Sequence, residues 1–174
     1  MSYINKRNEY INVNGLKIVY REINKGKSER PLVMLVHLAA TMDNWDPKFI
    51  DLVAEKYHII LLDLPGVGGS EGKVATTIPG MAQQAIDIIK ELGYSKINLL
   101  GLSMGGMIAQ EITRLASDLV DKLILVGTGP RDGEGIGTVT STTFKFMLKA
   151  GLNRVDPKRF IFYNHDEKGK IEAN

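Results

Sequence analysis

The sequence contains no cysteine, and this absence excludes several classes of protein. Without thiols there is no disulfide framework, no cysteine nucleophile and no cysteine-ligated metal site. A chain without disulfides suits a reducing compartment, so we expect a cytoplasmic protein. The three histidines are scattered and lack the H-x-x-x-H spacing of zinc ligands, so we expect no metal site. No motif implies an organic cofactor, and we expect none.

Long hydrophobic runs and blocks of like charge are also missing. No segment approaches the ~20 apolar residues that span a bilayer, and the first ten residues lack the apolar stretch of a secretion signal. The 22 basic and 20 acidic residues are interleaved and leave a net charge of +2. We therefore expect neither a nucleic-acid partner nor a membrane partner.

The sequence does contain an alternation of strand and helix patterns. A segment that alternates polar and apolar residues around Asn14-Gly15 predicts a β-hairpin. Short, nearly continuous apolar runs follow, as in parallel strands covered by helices on both faces; they occupy residues 31–37, 58–64, 97–103 and 122–127. Amphipathic segments between them predict helices over residues 46–57, 78–93 and 104–120. The order predicts an α/β fold with a mostly parallel sheet and helices on both faces.

The pattern changes after the last apolar run. Residues 127–142 are rich in glycine and threonine and predict a loop. Residues 144–151 and 156–174 then predict short amphipathic helices, the second capped by Asp156. No further strand pattern follows.

A serine stands where the third apolar run meets its helix. The residues Gly101-Leu102-Ser103-Met104-Gly105 fit G-x-S-x-G, which between a strand and a helix is the nucleophile elbow. An elbow holds its serine in a strained conformation that projects the hydroxyl from the sheet edge, and the glycines avoid collisions with neighbouring atoms. The N–H of Met104 at the helix N-terminus favours an oxyanion beside Ser103. The alternative is that Ser103 only caps the helix and the glycines serve packing.

Two further segments accompany the elbow. "VMLVHLAATMDNWDP" places His37 at the end of a buried strand, and "LLDLPGVGGSEG" ends the next strand in a glycine-rich turn with a D-x-x-G-x-G-x-S-like pattern. With these motifs, residues 14–133 resemble the α/β-hydrolase superfamily, in particular a branch of small esterase-like or haloperoxidase-like hydrolases. The resemblance implies a hydrolase of carboxylic esters or related acyl compounds, with Ser103 as the nucleophile and a small acyl molecule as substrate.

The resemblance also implies the other parts of the site. The backbone N–H of Ala39 corresponds to the second oxyanion donor, although Leu38 occupies the position of the family's glycine and is the alternative donor. His37 is expected to orient this loop rather than to act as a base. The family places its acid and its histidine on strands after the cap. Within this sequence the candidates are Asp132 for the acid and His165 for the base, against the alternative that both are surface residues.

These expectations lead to a hypothesis about the chain as a whole. We expect residues 1–128 to form the α/β-hydrolase core without its last strands and residues 129–174 to begin a helical cap, so that the chain is a truncated form of a serine hydrolase. An acyl pocket or ordinary helix packing would use the apolar residues of the cap, which are Phe144, Phe146, Met147, Phe160, Phe162 and Tyr163. An incomplete sheet would expose an edge strand and favour self-association.

Three other functions are considered. A non-catalytic ligand-binding or interaction module could retain the fold with a vestigial elbow. Perhydrolysis or haloperoxidase-like chemistry is not distinguished from hydrolysis by the motifs around the serine. A phosphate cradle in the glycine turn fits neither the dinucleotide nor the P-loop pattern, because Glu71 and Lys73 stand where those patterns require glycine.

Overall fold

The computed structural model describes residues 2–131, 133, 136–153, 155 and 168. The chain divides into two compact units, residues 1–130 and residues 131–174. No helix among the described residues is both long enough and apolar enough to cross a membrane. The strands are β1 (Glu9–Val13), β2 (Leu16–Ile23), β3 (Leu32–Leu35), β4 (Ile59–Leu62), β5 (Ile97–Leu102) and β6 (Val120–Val126), and the α-helices are α1 (Pro47–Ala54), α2 (Ile78–Glu91), α3 (Met104–Leu115) and α4 (Ile136–Asn153).

The first unit is built on a six-stranded sheet with the order β1-β2-β4-β3-β5-β6. β1 and β2 form the predicted antiparallel hairpin, whose turn residues Asn14 and Gly15 both have positive φ. β2 pairs antiparallel with β4, whereas β3, β4, β5 and β6 run parallel to one another. The predicted fold class, a mostly parallel sheet preceded by a hairpin, is therefore confirmed.

Each face of the sheet carries its own hydrophobic core. One core includes residues of α2 and α3, and the other includes residues of α1 and the N-terminal segment. Along β3 the side chains alternate between them: Val33 and Leu35 belong to the first core, and Leu32 and Met34 to the second. Fully burying such a side chain stabilises the fold by about 1.5–3 kcal/mol. Burial on both faces explains why β3, β4 and β5 read as continuous apolar runs. The same prediction is wrong for residues 124–126 of β6, whose side chains are exposed.

The helices of the first unit begin and end at residues suited to those positions. Asp46 caps α1, since its Oδ1 accepts a hydrogen bond from the Phe49 N–H at 2.7 Å. Thr77 caps α2 in the same way, by accepting from the Gly80 N–H at 3.1 Å. Gly93 follows α2 with φ of +86°, the left-handed conformation that commonly ends a helix.

The second unit departs from one expectation. The prediction of a loop over residues 127–142 is wrong from Ile136 onward, because α4 begins there and continues to Asn153. Threonine, serine and glycine each disfavour a helix by no more than about 1 kcal/mol, so they do not stop one that the following residues favour. The predicted helix over residues 156–174 and its cap Asp156 lie outside the described residues, apart from Lys168 in a helical conformation. The interpretation of residues 129–174 as a cap stays a prediction.

Candidate active site

The candidate site lies at the edge of the sheet where the parallel strands have their carboxyl ends. Three segments follow these strands: the β3 loop (residues 36–44), the glycine turn (residues 63–72) and the junction between β5 and α3. Ligand sites of open α/β sheets lie outside the carboxyl ends of the strands. The fold therefore brings together the three segments that carry the predicted site residues.

Ser103 alone connects β5 to α3. Its backbone has φ of 54° and ψ of −117°, a conformation that costs a residue with a side chain about 1–3 kcal/mol. Its N–H donates to the carbonyl oxygen of Val126 at 2.9 Å, and its own carbonyl accepts from the Gly106 N–H at 2.9 Å. The half-buried side chain makes no capping hydrogen bond. Ser103 thus has the backbone of an elbow, and although it occupies the N-cap position of α3, its side chain does not cap the helix.

The glycines around Ser103 allow the helix and the strands to pack closely. A Cβ on Gly101 would overlap the backbone of Gly105, and a Cβ on Gly105 would overlap the carbonyl oxygen of Leu35 in β3. A Cβ on Gly106 would lie 2.5 Å from the Cγ2 of Thr128. Each glycine is therefore required by a contact, in agreement with the steric argument made from the sequence.

The two predicted oxyanion donors are backbone amides without partners in the described structure. Met104 is the first residue of α3, where the N–H has no acceptor within the helix. Neither its amide nor the Ala39 amide donates a hydrogen bond to another described residue. Ala39 has φ of 57°, so the left-handed conformation falls on an alanine rather than on the preceding Leu38. Both amides remain available to an acceptor such as a developing oxyanion.

His37 bends back onto its own loop. Its Nδ1 lies 2.8 Å from the carbonyl oxygen of Leu38, and because a carbonyl only accepts, Nδ1 carries the proton. This contact agrees with a role in orienting the loop. The Leu38 side chain is 57% exposed, so the residue at the family's glycine position leaves the loop open to solvent on that side.

A cavity of about 410 Å³ adjoins both candidate donors. Its lining is largely apolar and comes from the β3 loop, the glycine turn and the helices α2 and α3; it includes Ala39, Val74, Met81, Met104 and Ile108. Its volume falls within the range of small-molecule sites.

The alpha/beta hydrolase fold family has a sequence profile that matches residues 31–154. The chain belongs to this family. A Haemophilus influenzae (strain Rd) protein named for an esterase or lipase is 36% identical to it over 108 residues, which are 62% of this chain and 37% of that protein. Esterase YbfF of Escherichia coli K12 is 33% identical over 102 residues, 59% of this chain and 40% of the esterase.

A solved structure gives the same assignment. An alpha/beta hydrolase fold protein from Chitinophaga pinensis superposes with a TM-score of 0.87 at 29% sequence identity, covering 98% of this chain and 62% of the other. The matched part of this chain thus spans 37% and 40% of the two curated relatives. Both curated relatives carry the name of an esterase, which describes those proteins.

Other predicted residues of this alpha/beta hydrolase lie outside the described structure. Asp132 and His165, the candidates for the acid and the base, are among them, so both assignments stay predictions. The same is true of the side chains of Phe144, Phe160, Phe162 and Tyr163. Within the described ranges, no group of three or more acidic or histidine residues is arranged to hold a metal ion.

The second described histidine, His58, belongs to the opposite end of the sheet. It precedes β4, and its Nε2 lies 2.8 Å from the Oε1 of the buried Glu22. Burial raises the pKa of Glu22, but hydrogen bonds from Tyr94, Lys25 and His58 outweigh this and leave that pKa below its usual value. His58 therefore has a structural role.

The sequence motif includes one residue of the site to which the sequence assigns no role. Asp63, directly after β4, is 2% exposed, and its Oδ1 accepts a hydrogen bond from the Met42 N–H at 2.8 Å. Burial raises the pKa of its carboxyl, and hydrogen bonds from the amides of Met42 and Gly69 oppose that rise. The aspartate at the start of the D-x-x-G-x-G-x-S-like pattern was visible in the sequence. Its contact with the β3 loop was not, because the two segments are distant in the chain.

Proposed function

We propose that this alpha/beta hydrolase carries the nucleophile and oxyanion-binding part of a serine hydrolase that acts on carboxylic esters or related acyl compounds. The observation that carries the proposal is the backbone of Ser103, which is strained and leaves the side chain free of any capping bond. Such strain is retained where function requires a projecting hydroxyl. The esterase names of two relatives support the reaction class.

The geometry supports a specific division of roles. Ser103 Oγ attacks the carbonyl carbon of the ester, and the amides of Met104 and Ala39 hold the oxygen that becomes negatively charged. The serine proton passes to a base and then to the departing alcohol, and water releases the acid from the acyl-enzyme. The proposal assigns the base and its orienting acid to His165 and Asp132, or to residues beyond this sequence. The cavity beside Ala39 and Met104 would hold the acyl group.

A fluorophosphonate probe tests the nucleophile directly, because it labels an activated serine. We expect labelling of this chain, or of the full reading frame where it continues beyond Asn174, together with hydrolysis of a short-chain p-nitrophenyl ester. Ser103→Ala should abolish both signals. Ser117→Ala, which removes an exposed serine distant in sequence from the elbow, is the matched control and should retain both. Labelling that survives Ser103→Ala would contradict the proposal.

The alternative is a non-catalytic module that binds an apolar ligand in the cavity. It is favoured by Leu38, which departs from the glycine of the family's oxyanion loop. A module of this kind would bind a fatty-acid analogue with the same affinity in wild type and Ser103→Ala, and neither protein would react with the probe. The cytoplasmic location expected from the composition also stays a prediction, and no nucleic-acid or membrane partner is proposed.

A second copy of the chain is the proposed partner of the β6 edge. Within the described residues β6 pairs with β5 on one side, and Ile124, Leu125 and Val126 are 44%, 44% and 42% exposed. An exposed apolar edge strand is a template for pairing with another chain. Light scattering should show dimers or larger species that Leu125→Lys reduces and that Leu52→Lys, on the exposed face of α1, leaves unchanged. A wild-type protein that stays monomeric at high concentration would contradict this.

A further inference from the structure

Met42 is held through both of its backbone polar groups. Its N–H donates to the Oδ1 of Asp63 at 2.8 Å, and its carbonyl oxygen accepts from the Tyr3 hydroxyl at 2.6 Å. Met42 itself is 1% exposed, so water does not compete for these bonds. The next residue, Asp43, forms an ion pair of 2.7 Å with Arg21, which is 8% exposed. The end of the β3 loop is therefore fixed by three side chains from different parts of the chain.

The middle of the β3 loop is more exposed than Met42, and there the Nδ1 of His37 contacts the carbonyl oxygen of the neighbouring Leu38. Leu38 is 57% exposed, and Ala39 is exposed as well. Ala39 nevertheless adopts φ of 57°, which an alanine keeps only where the surrounding structure imposes it. Because the loop starts at β3, which pairs with β4 and β5, its other fixed end is Met42. Ala39 therefore lies between two held points of the loop, the His37 contact with Leu38 before it and the anchored Met42 after it.

Asp63 is itself held in place. Its backbone N–H donates to the Val19 carbonyl at 3.2 Å. Its carbonyl accepts from the Ser70 hydroxyl at 2.7 Å, and the oxygen of that hydroxyl accepts from the Val19 N–H at 2.9 Å. The carboxylate oxygen Oδ2 lies so close to Gly68 that a Cβ there would overlap it. The residues of the D-x-x-G-x-G-x-S-like pattern therefore fix the position of one buried carboxylate.

We infer that Asp63 is a positioning residue, which holds the Met42 N–H and thereby keeps the Ala39 amide directed at the oxyanion. The assignment of Ala39 rests on the proposed function; the anchoring of the loop by Asp63 does not. A buried carboxylate is unfavourable unless it is hydrogen-bonded. A purely apolar contact would fill the same space without that cost but would leave the Met42 N–H without an acceptor.

Two variants test the inference, one at the Met42 N–H and the other at the Met42 carbonyl. Asp63→Ala removes the acceptor of its N–H, and Tyr3→Phe removes the donor to its carbonyl while keeping the ring. Asp63→Asn retains an acceptor oxygen and serves as the conservative variant. Asp87→Ala, which removes a carboxylate from the far side of α2, is the control; its hydrogen bonds to Asn14 and Gln83 are exposed.

Amide hydrogen exchange measured by NMR should show faster exchange in Asp63→Ala confined to the β3 loop, with Met42 most affected, and a smaller change in Tyr3→Phe. Loss of a complete oxyanion donor costs about 10²–10³ in rate. A displaced donor should therefore lower kcat by about 10–100-fold with KM changed little, and Asp63→Asn should recover part of that loss. Asp87→Ala should match wild type in both measurements.

The outcomes separate the inference from the proposed function. If wild type neither hydrolyses esters nor reacts with the probe, the proposed function fails, and hydrogen exchange alone then decides whether Asp63 anchors the loop. Unchanged exchange in the β3 loop of Asp63→Ala would overturn the inference, and so would exchange that rises equally throughout the sheet. Should Asp63→Ala fail to fold, hydrogen exchange and kcat are measured on Asp63→Asn, whose neutral amide oxygen is a weaker acceptor than a carboxylate, and on Tyr3→Phe; exchange in the β3 loop unchanged in both would overturn the inference.

Discussion

Replacing Gly105 by alanine tests the close packing beneath the elbow. The added Cβ would overlap the carbonyl oxygen of Leu35 and would lie 2.7 Å from that of Val36. Leu35 belongs to β3, which pairs with strands on both sides, so its backbone cannot shift without breaking sheet hydrogen bonds. The helix must move instead, and Met104 moves with it.

The size of the effect follows from two opposing contributions. Overpacking a well-packed core typically costs 1–3 kcal/mol, and a clash against fixed backbone belongs at about 3 kcal/mol or above. Alanine in place of glycine within a helix returns about 1 kcal/mol through its better propensity. The free energy of unfolding should therefore fall by about 2 kcal/mol, which lowers Tm by roughly 4–8 °C for a domain of this size.

Thermal unfolding followed by circular dichroism measures this change, and urea unfolding checks it. The control is Gly151→Ala in α4, where an added Cβ has no atom within 4 Å. That substitution should raise the free energy of unfolding by about 0.5–1 kcal/mol. If Gly105→Ala were as stable as wild type, or as stable as Gly151→Ala, the steric account of the elbow would be refuted.

Further predictions concern three other residues. Ser103→Gly relieves the strained φ, so its free energy of unfolding should be about 1 kcal/mol higher than that of Ser103→Ala. Both variants should lose labelling by the fluorophosphonate probe. Equal stabilities of the two variants would count against backbone strain. The folded-state pKa of Asp63 is raised above its usual value of 3.8. Its contribution to stability is therefore complete below pH 3.8 and is lost as the pH rises through the folded pKa, so Asp63→Asn should flatten the stability profile in that window. The folded-state pKa of Glu22 lies below its usual value of 4.5, so its contribution is present above pH 4.5 and is lost as the pH falls through the lower value. Glu22→Gln should reduce this acid sensitivity, and an unchanged acid limb would argue against the hydrogen bonds to Tyr94 and His58.

The parts of the site that were predictable are local in the chain. Ser103 was found because a buried strand, a G-x-S-x-G motif and an amphipathic helix follow one another within a few turns. Its role as nucleophile remains a proposal, but the strained backbone and the steric need for Gly101 and Gly105 agree with the structure. The prediction of a loop over residues 127–142 is wrong from Ile136 onward, because weak helix propensity does not exclude a helix.

The role inferred for Asp63 illustrates what a linear pattern leaves open. The D-x-x-G-x-G-x-S-like pattern indicates a turn, and because it does not match the phosphate-binding motifs it argues against a phosphate site. Its contact with Met42 depends on the pairing of β3 with β4, which brings the ends of two strands to one edge. Periodicity along a single segment carries no information about which segment lies beside it.

The sequence and the tertiary structure determined different features of this protein. The sequence alone determined the order of strands and helices, the α/β class and the position of the elbow, because hydrophobic periodicity and glycine placement act over short stretches of chain. The tertiary structure decided the strand order, the cavity between the β3 loop and α3, and the hydrogen bonds of Asp63 and Tyr3 to the backbone of Met42. Those features arise from contacts between residues remote in sequence, and such contacts exist only once the sheet has assembled.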